Sequence, residues 1–398
     1  MHQQARKAFN ESFTEEKYVE FVASIENAFP GELEFRVAES PVFVPALLKE
    51  KITKACAEII ATLRSTDFVS KTNRAVPADQ YVPNENAHSS FLAIDFAICK
   101  NELGELTPQL IELQGFPSIF SYQAFLSEQF KAHFNVMPNF QYLLGEPSYE
   151  AYLQKLKEII IANHDPENVI LLEIFPETQK TRIDFAVTES MLGVKAVCYT
   201  KLIREGRSLF YEKAGRKIQV KRIYNRLIFD DLLNYPDLHT SYKFTDDVDV
   251  EWVGHPNWFF RISKFSLPFL HSDFVPETRF VSDYQGSYPV DLENYVLKPL
   301  FSFAGTGVQL HVNHSILQNL EDPENYILQK KVAYEPVIQA PDGLVKCEIR
   351  MMFGWADAAK EPELLISLSR LSRGEMIGVR FNKDFTWVGG SAAFYEES

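Results

Sequence analysis

A lysine on an apolar strand, followed by a loop that contains two glycines, is the first chemically informative feature of this sequence. Lys298 lies in the stretch YVLKPLFSFAGTGV, where Gly305, Thr306 and Gly307 follow it. A cation beside a run of backbone N–H groups can hold a polyphosphate. A second strand, Tyr326–Val332, ends in polar residues and could present backbone amides to a purine edge. Together these segments predict a nucleotide site; the alternative is an exposed lysine on an ordinary hairpin.

The order of these residues differs from that of two common phosphate-binding motifs. In the P-loop the lysine follows the glycines, whereas Lys298 precedes them. The stretch AGTGV also lacks the third glycine of the GxGxxG motif of dinucleotide-binding domains. The predicted site therefore belongs to neither class.

Composition and charge limit the possible functions. The chain has 398 residues, of which 46% are hydrophobic, enough for two or three packed domains. A net charge of −14 argues against binding to nucleic acid or to an anionic membrane. The four cysteines lack CxxC spacing, which argues against a zinc site or a disulfide framework and predicts a cytoplasmic protein. The sequence shows no signal peptide and no apolar run that could span a membrane, so we expect neither.

The hydrophobic pattern predicts a helical N-terminal region followed by two kinds of sheet. The predicted helices span residues 15–28, 46–63, 118–135, 148–163 and 181–192. The predicted strands span residues 91–98, 108–114, 169–175, 194–199 and 220–226, with a hairpin over 208–219. The continuous apolar run at 169–175 is typical of a parallel sheet that is covered on both faces. We expect three parts, which are residues 1–150, an α/β domain over 165–255, and a strand-rich region over 256–398.

The predicted hairpin of strands 91–98 and 108–114 brings polar side chains to its ends. Asp95 stands on the first strand, and Glu112 and Gln114 on the second. Glu112 and Gln114 are two residues apart, so their side chains point to the same face of the sheet. The hairpin is therefore a candidate polar site; the alternative is a polar strand end that binds nothing.

Taken in order, these segments resemble the eukaryotic-type glutathione synthetase family, whose ATP-grasp fold is circularly permuted. The likeness runs from about residue 90 to the C-terminus. In that family the metal-binding strand precedes the ATP-binding strands, and Glu112 stands in the corresponding place. The resemblance implies an α/β (α+β) protein with a permuted ATP-grasp fold and an inserted Rossmann-like α/β substrate domain. It also implies a Mg²⁺ site with Glu112 and Gln114 as ligands, supported by Asp95.

The resemblance further implies an ATP site. Lys264 and Lys298 match lysines that contact the phosphates, and the glycine loop matches a lid that closes over them. Lys331 and Val332 match the segment that contacts adenine, and Glu335 is placed to reach the ribose. The implied nucleotide-binding residues are Lys264, Lys298, Gly305, Thr306, Gly307, Gln329, Lys331, Val332 and Glu335.

Three arginines and a C-terminal segment complete the resemblance. Arg226 matches a strand end that faces the substrate, where a guanidinium could clamp a carboxylate; the alternative is a surface arginine. Arg350 and Arg370 are candidates to stabilise the transferring phosphoryl group. The segment 387–393 (WVGGSAA) matches a loop that closes on the acceptor; the alternative is a C-terminal turn.

Two departures from the family affect what the resemblance implies. The family's glycine-rich loop carries a glutamate that binds a second magnesium ion, and here Ser302 stands near that position. Glu348 is the candidate to supply the missing ligand. The stretch GFPSIF at 115–120 is more apolar than the family's serine-rich substrate loop. The family's substrates, γ-glutamylcysteine and glycine, are therefore not carried over.

The implied activity is that of an ATP- and Mg²⁺-dependent ligase that joins a small-molecule carboxylate to an amine through an acylphosphate. Two alternatives stay open: another use of the phosphorylated group on the same fold, and a nucleotide-binding protein without turnover. The first 80 residues have no counterpart in the comparison, and they could form a homodimer surface or part of the substrate pocket.

Overall fold

The computed structural model describes residues 1–117, 119–301, 307–374, 377–378 and 382–397. The α-helices in these ranges are α1 (Gln3–Ser12), α2 (Glu15–Ala28), α3 (Ala46–Leu63), α4 (Phe68–Lys71), α5 (Phe120–His133), α6 (Tyr149–Ile160), α7 (Arg182–Leu192), α8 (Phe229–Leu233), α9 (Pro256–Arg261) and α10 (His314–Gln318).

The β-strands follow the same order along the chain. They are β1 (Val42–Val44), β2 (Phe91–Lys100), β3 (Leu106–Gln114), β4 (Phe140–Gln141), β5 (Val169–Glu173), β6 (Lys195–Cys198), β7 (Ile203–Glu205), β8 (Ser208–Lys213), β9 (Arg216–Val220), β10 (Arg222–Asn225), β11 (Glu251–Val253), β12 (Thr278–Phe280), β13 (Tyr295–Pro299), β14 (Tyr326–Lys330), β15 (Ile338–Ala340), β16 (Gly343–Gly354), β17 (Glu363–Ser372) and β18 (Gly389–Glu396).

The helices of the N-terminal region confirm the periodic pattern of the sequence. Both α2 and α3 have the predicted bounds. Thr14 caps α2 by accepting a hydrogen bond from the backbone N–H of Lys17, and two glutamates occupy the first turn, where negative charge is favourable. The region is not helical throughout, because β1 lies between α2 and α3 and pairs in parallel with the C-terminal strand β18. The two ends of the described chain therefore share one sheet.

An eight-stranded sheet forms the centre of the molecule. Its main path runs β1-β18-β17-β16-β2-β3, with β15 and β4 pairing at its sides. Strand β2 is buried along nearly its whole length, as its continuous apolar sequence predicts, and it forms the expected hairpin with β3. Helix α5 packs against β17 and β18. The sheet therefore combines a predicted local hairpin with pairings between residues far apart in sequence.

The C-terminal segment differs from its prediction as a closing loop. Gly389–Ala393 belong to β18, an inner strand between β1 and β17. A Cβ atom at Gly389 would lie 2.4 Å from the carbonyl oxygen of Arg36, and the φ of +128° also favours glycine. Gly389 therefore allows the backbone of residues 36–38 to approach the strand, rather than giving a loop its freedom.

A smaller sheet of four parallel strands has the order β11-β10-β5-β6. The predicted strand-helix-strand unit is confirmed as β5, α7 and β6. Strand β6 lies on one side of β5, whereas β10 and then β11 lie on the other side, so the strand order reverses between β5 and β10. In parallel sheets ligands bind beyond the carboxyl ends of the strands at such a point. The domain boundaries at 150, 165 and 255 remain predictions.

A third sheet carries Lys298. It consists of β12, β14 and β13, all antiparallel, and a further three strands, β7 to β9, form a separate hairpin sheet. The third sheet has a small apolar core of its own, made of Val281, Leu292, Tyr295, Leu297, Val312, Leu317 and Leu328. None of the helices in the described ranges combines the length and the hydropathy that a membrane-spanning segment requires.

Candidate functional site

Neighbouring strands of the central sheet bring five predicted site residues to one face. Glu112 of β3 stands opposite Asp95 of β2, which stands opposite Arg350 of β16. In the adjacent row, Glu348 stands opposite Arg370 of β17. Residues directly opposite in an antiparallel pair share a face, so the charged side chains form two neighbouring rows.

Asp95 is the centre of these rows. It is 1% exposed and accepts two hydrogen bonds of 2.6 Å from Arg350 and one of 2.7 Å from Arg370. Burial acts to raise the pKa of the Asp95 carboxyl, but the two guanidinium charges outweigh it and hold the pKa below its ordinary value. The side chain of Arg370 is 37% exposed and that of Arg350 only 10%. Arg370 is therefore the arginine of the two that a ligand can reach.

Glu348 is tied on both carboxylate oxygens. Arg370 donates to Oε1, and the hydroxyl of Tyr334 donates to Oε2 at 2.8 Å. Burial raises the pKa of Glu348 more than the charge of Arg370 lowers it, and nearby Asp95 raises it further. Tyr334 carries no sequence signal of its own, because it lies in a segment with neither helix nor strand periodicity. The one sequence feature that could have indicated a role for Tyr334 is its position a few residues after β14, in the segment predicted to bind the nucleotide.

A β-bulge shapes the strand that carries Glu112. Asp95 opposes Glu112 while Phe96 opposes Leu110, so Ile111 is the additional residue. Bulges re-aim side chains and leave a backbone group unpaired, and they are frequent beside active sites. Here the carbonyl of Ile111 accepts a hydrogen bond of 3.3 Å from the ammonium of Lys298. The bulge thus links the central sheet to the third sheet.

Two lysines approach Glu112. The ammonium of Lys264 lies 3.9 Å from the carboxylate, and Lys264 is only 7% exposed. Burial lowers the pKa of Lys264, although the charges of Glu112 and Asp230 oppose this change. Burial also lowers the pKa of Lys298 to about 8; Glu112 acts to raise it and Lys264 to lower it. Two partly desolvated cations therefore lie near Glu112, with Asp230 as a further nearby carboxylate, and additional negative charge would stabilise both lysines.

Gln329 belongs to the same cluster. Its side-chain oxygen accepts a hydrogen bond of 2.5 Å from Lys298, and its amide nitrogen donates to the hydroxyl of Thr278 at 3.1 Å. Gln329 is 1% exposed, so it orients Lys298 from inside the third sheet. A nucleotide contact of Gln329 remains a prediction.

The segment after β14 crosses back to the central sheet. The backbone N–H of Lys331 donates to the carbonyl of Asn294, and its ammonium donates to Glu293 at 2.6 Å. The backbone N–H of Glu335 donates to Ile98 of β2, and its carboxylate pairs with Lys100 at 2.6 Å.

Val332 lies half-buried between these two anchors. A cleft of about 770 Å³ opens beside Glu335 and Lys100, next to α1. The adenine and ribose contacts of this segment remain predictions.

The glycine loop is described only at its end. Gly307 has a φ of +73°, and a Cβ atom there would lie 3.0 Å from the ring of Pro299, so glycine suits the position. Ser302, Gly305 and Thr306 lie outside the described residues. Their predicted roles at the phosphates therefore stay predictions.

Arg226 makes its contacts in the parallel sheet. It follows β10 and donates to the buried Asp184 at 2.7 Å, with its guanidinium 5.2 Å from the ring centre of Phe185. Burial raises the pKa of Asp184 even though the charge of Arg226 opposes this. Nearby, burial raises the pKa of Glu173, at the end of β5, to about 8. The contact of Arg226 with a substrate carboxylate remains a prediction. One nitrogen of its guanidinium already donates to Asp184.

The predicted magnesium ligands fit the ion in only one place. Among the described residues no three His, Cys, Asp or Glu side chains gather as a metal site. The Asp95 carboxylate accepts hydrogen bonds from Arg350 and Arg370. The Glu348 carboxylate accepts hydrogen bonds from Arg370 and Tyr334. Glu112 is a third exposed, and Gln114 lies two residues further on the same strand. Mg²⁺ commonly takes one or two protein oxygens together with substrate phosphates, so these two residues fit a nucleotide-bound ion.

Comparison with known proteins gives a likeness of fold. No protein family profile matches the chain, and no curated protein matches it in sequence. A solved structure of a glutathione synthetase-like effector from Globodera pallida, in its apo form, superposes with a TM-score of 0.61 at 10% identity. The match covers 98% of this chain and 99% of that one. The chain therefore has a glutathione synthetase-like fold of mixed α/β type.

Proposed function

We propose that the protein is an ATP- and Mg²⁺-dependent ligase that joins a carboxylate to an amine on a permuted ATP-grasp fold. The observation that carries the proposal is the position of two lysines beside the Glu112 segment: Lys264 lies 3.9 Å from the Glu112 carboxylate, and Lys298 donates to the carbonyl of the neighbouring Ile111. A structural ion pair needs one lysine, whereas two partly desolvated lysines at one place are suited to phosphate oxygens, whose negative charge would offset the loss of solvent. The glutathione synthetase-like fold supports the same conclusion.

The proposed reaction has two steps. A carboxylate oxygen of the first substrate attacks the γ-phosphorus, the bond from that phosphorus to the bridging oxygen breaks, and ADP leaves. The amine nitrogen then attacks the acyl carbon, the bond to phosphate oxygen breaks, and the amine gives up a proton. Phosphorylation is needed because an unmodified carboxylate would have to expel oxide.

Each proposed role follows from a position in the cluster. Lys264 and Lys298 bind the phosphates, and Arg370, the more exposed arginine, stabilises the charge of the transferring group. Glu112 and Gln114 would hold Mg²⁺, which supplies charge neutralisation at the β- and γ-phosphate oxygens. Asp95 positions Arg370, and Gln329 positions Lys298, through the hydrogen bonds that they accept.

A second function in the same fold is nucleotide binding without turnover. It is favoured by the contacts of Glu348, whose two oxygens are engaged by Arg370 and Tyr334. With Ser302 in place of the family's loop carboxylate, Glu348 would have to leave these partners to bind a second ion. The two functions differ in whether a carboxylate becomes phosphorylated.

Trapping with hydroxylamine separates the two functions without knowledge of the amine. Hydroxylamine converts an acylphosphate to a hydroxamate, so the protein is incubated with ATP, Mg²⁺, hydroxylamine and a panel of carboxylates. The ligase proposal expects ADP and hydroxamate in equal amounts, and their loss in Glu112→Gln but not in Lys54→Ala, an exposed lysine on α3. ATP binding without hydroxamate from any carboxylate would contradict the ligase and favour the binding protein.

A further inference from the structure

A small cavity lies directly beside the candidate phosphate site. Its volume is about 40 Å³, and its polar end is formed by Glu112, Gln114 and Lys264. The rest of its wall is largely apolar, with Phe116, Phe259, Phe260, Ile262, Leu300 and Phe301. A molecule that presents a carboxylate to the cluster would therefore place its other end among aromatic rings.

The aromatic wall is built from rings that contact one another. Ring centres lie 5.7 Å apart for Phe116 and Phe259, 5.3 Å for Phe259 and Phe260, and 6.1 Å for Phe260 and Phe301. All three pairs pack edge to face, an arrangement that stabilises aromatic clusters. The wall thus continues from the end of β3 to the residue that precedes the glycine loop.

The backbone fixes this wall against α9. The N–H of Gly115 donates to the carbonyl of Ile262 at 2.9 Å. A Cβ atom at Gly115 would lie 2.6 Å from the carbonyl oxygen of Trp258, so a side chain there would separate the two segments. Glycine at this position therefore permits the close approach of the segments that carry Phe116 and Phe259.

Few polar side chains line the cavity apart from Glu112, Gln114 and Lys264. The hydroxyl of Ser263, which also lines the cavity, already donates to the carbonyl of Phe260 at 2.8 Å and accepts from the N–H of Phe265. A hydroxyl or amide on a ligand would lose water without gaining a partner among the rings, and this desolvation weakens binding. The chemistry of the wall therefore selects against a polar substituent.

We propose that this cavity receives the side chain of the carboxylate substrate and that this side chain is a short, branched aliphatic group. The inference rests on the proposed function for the role of its ligand. Size limits the group, since a dry cavity of about 150 Å³ is known to bind benzene and one of roughly 10–15 Å³ holds a water molecule. The volume of about 40 Å³ lies between these values, so an isopropyl group suits it better than a ring.

Binding of simple acids tests the inference without turnover. Isovalerate, 3-hydroxybutyrate and phenylacetate each carry one carboxylate and no amine, and the first two differ by a methyl group replaced by a hydroxyl. Their affinities for the full chain are measured by ligand-detected NMR, with and without AMP-PNP and Mg²⁺. We expect isovalerate to bind about 10- to 100-fold more tightly than 3-hydroxybutyrate, and phenylacetate to be excluded.

A variant that enlarges the cavity should gain the ability to bind a larger acid. Phe116 is half-buried, so Phe116→Ala should leave the chain folded while it admits phenylacetate and weakens isovalerate binding. The control is Phe385→Ala, at a phenylalanine that is 42% exposed and does not line the cavity, and it should change neither affinity. Thermal unfolding of each variant checks that the fold is retained.

The outcomes separate this inference from the ligase proposal. Selective isovalerate binding without ATP-dependent hydroxamate formation would support the cavity and contradict the ligase. Hydroxamate formation that favours polar carboxylates would support the ligase and overturn the cavity assignment. Failure of all three acids to bind, or unchanged selectivity in Phe116→Ala, would also overturn it.

Discussion

Asp95 and Arg350 face each other on neighbouring strands and are joined by two hydrogen bonds of 2.6 Å. Arg370 reaches the same carboxylate from the next strand, so one buried acid holds two cations. Removing one partner of a buried ion pair leaves uncompensated charge behind. The position of Arg370, and with it the shape of the candidate site, depends on Asp95.

Asp95→Asn should destabilise the fold strongly. We expect the free energy of unfolding to fall by about 3–5 kcal/mol, because two guanidinium groups lose the charge that balances them. Urea unfolding measures this change. The matched control is Asp67→Asn, at an exposed acid that pairs with Lys71, where no measurable loss is expected. A loss for Asp95→Asn no larger than that of the control would contradict the role given to Asp95.

Tyr334→Phe should loosen Glu348 and Arg370 while leaving the fold intact. The change removes a hydrogen bond to a buried carboxylate, worth about 1.5–3 kcal/mol. Because Tyr334 follows the segment proposed to bind adenine, we also expect ATP to bind several-fold more weakly, as measured by calorimetry. Tyr81→Phe, at a tyrosine that is 48% exposed, serves as the control. Unchanged stability and unchanged ATP affinity would show that the Tyr334 hydroxyl is not needed.

ATP binding should weaken as pH rises through about 8. Burial lowers the pKa of Lys298 to about 8, so its ammonium is charged below that pH and loses its charge above it. Phosphate binding requires the charged form, and we expect a several-fold loss of affinity between about pH 7 and pH 9. In Lys298→Arg the guanidinium stays charged, so the pH dependence should disappear. A profile that is the same in both proteins would exclude Lys298 as its source.

Glu173→Gln should stabilise the protein near neutral pH. Burial raises the pKa of Glu173 to about 8, so the carboxyl is protonated in the folded state and ionises on unfolding. A group whose pKa is raised on folding contributes stability at low pH that is lost as the pH rises towards the folded-state value. At about pH 7 we expect the variant to gain roughly 1–3 kcal/mol, and near pH 4 little or nothing. Urea unfolding at both values measures the difference, and an equal effect at both would contradict burial as the cause.

Local patterns predicted much of the fold. The continuous apolar sequence of β2 and the helical spacing of α2 and α3 depend on neighbours along the chain, and all three elements were correctly placed. The start of strand β18 was predicted as a closing loop because the need for Gly389 is explained only by the close approach of residues 36–38. A glycine-rich segment has the same local sequence pattern in a loop and in a strand that another backbone approaches closely. The sequence alone therefore did not distinguish the two structures.

The candidate site depended more on contacts between distant residues. Arg350 and Arg370 lie 255 and 275 residues after Asp95, and only the strand register shows that they share its carboxylate. The resemblance nominated all three residues but with different roles. Tyr334 carried no motif, and its contact with Glu348 arises where an irregular segment crosses the sheet. Register and crossings of this kind are not encoded in local periodicity.

Calorimetric titration with ATP, with and without Mg²⁺, tests the central claim most directly. The proteins are wild type, Lys298→Ala and Glu112→Ala, with Lys54→Ala as the control at an exposed helix position. The account predicts that wild type and the control bind ATP more tightly with Mg²⁺, that Lys298→Ala loses most of its affinity, and that Glu112→Ala keeps binding but loses the Mg²⁺ dependence. Absence of ATP binding by the wild type, or equal binding by all four proteins, would contradict it and leave only the likeness of fold.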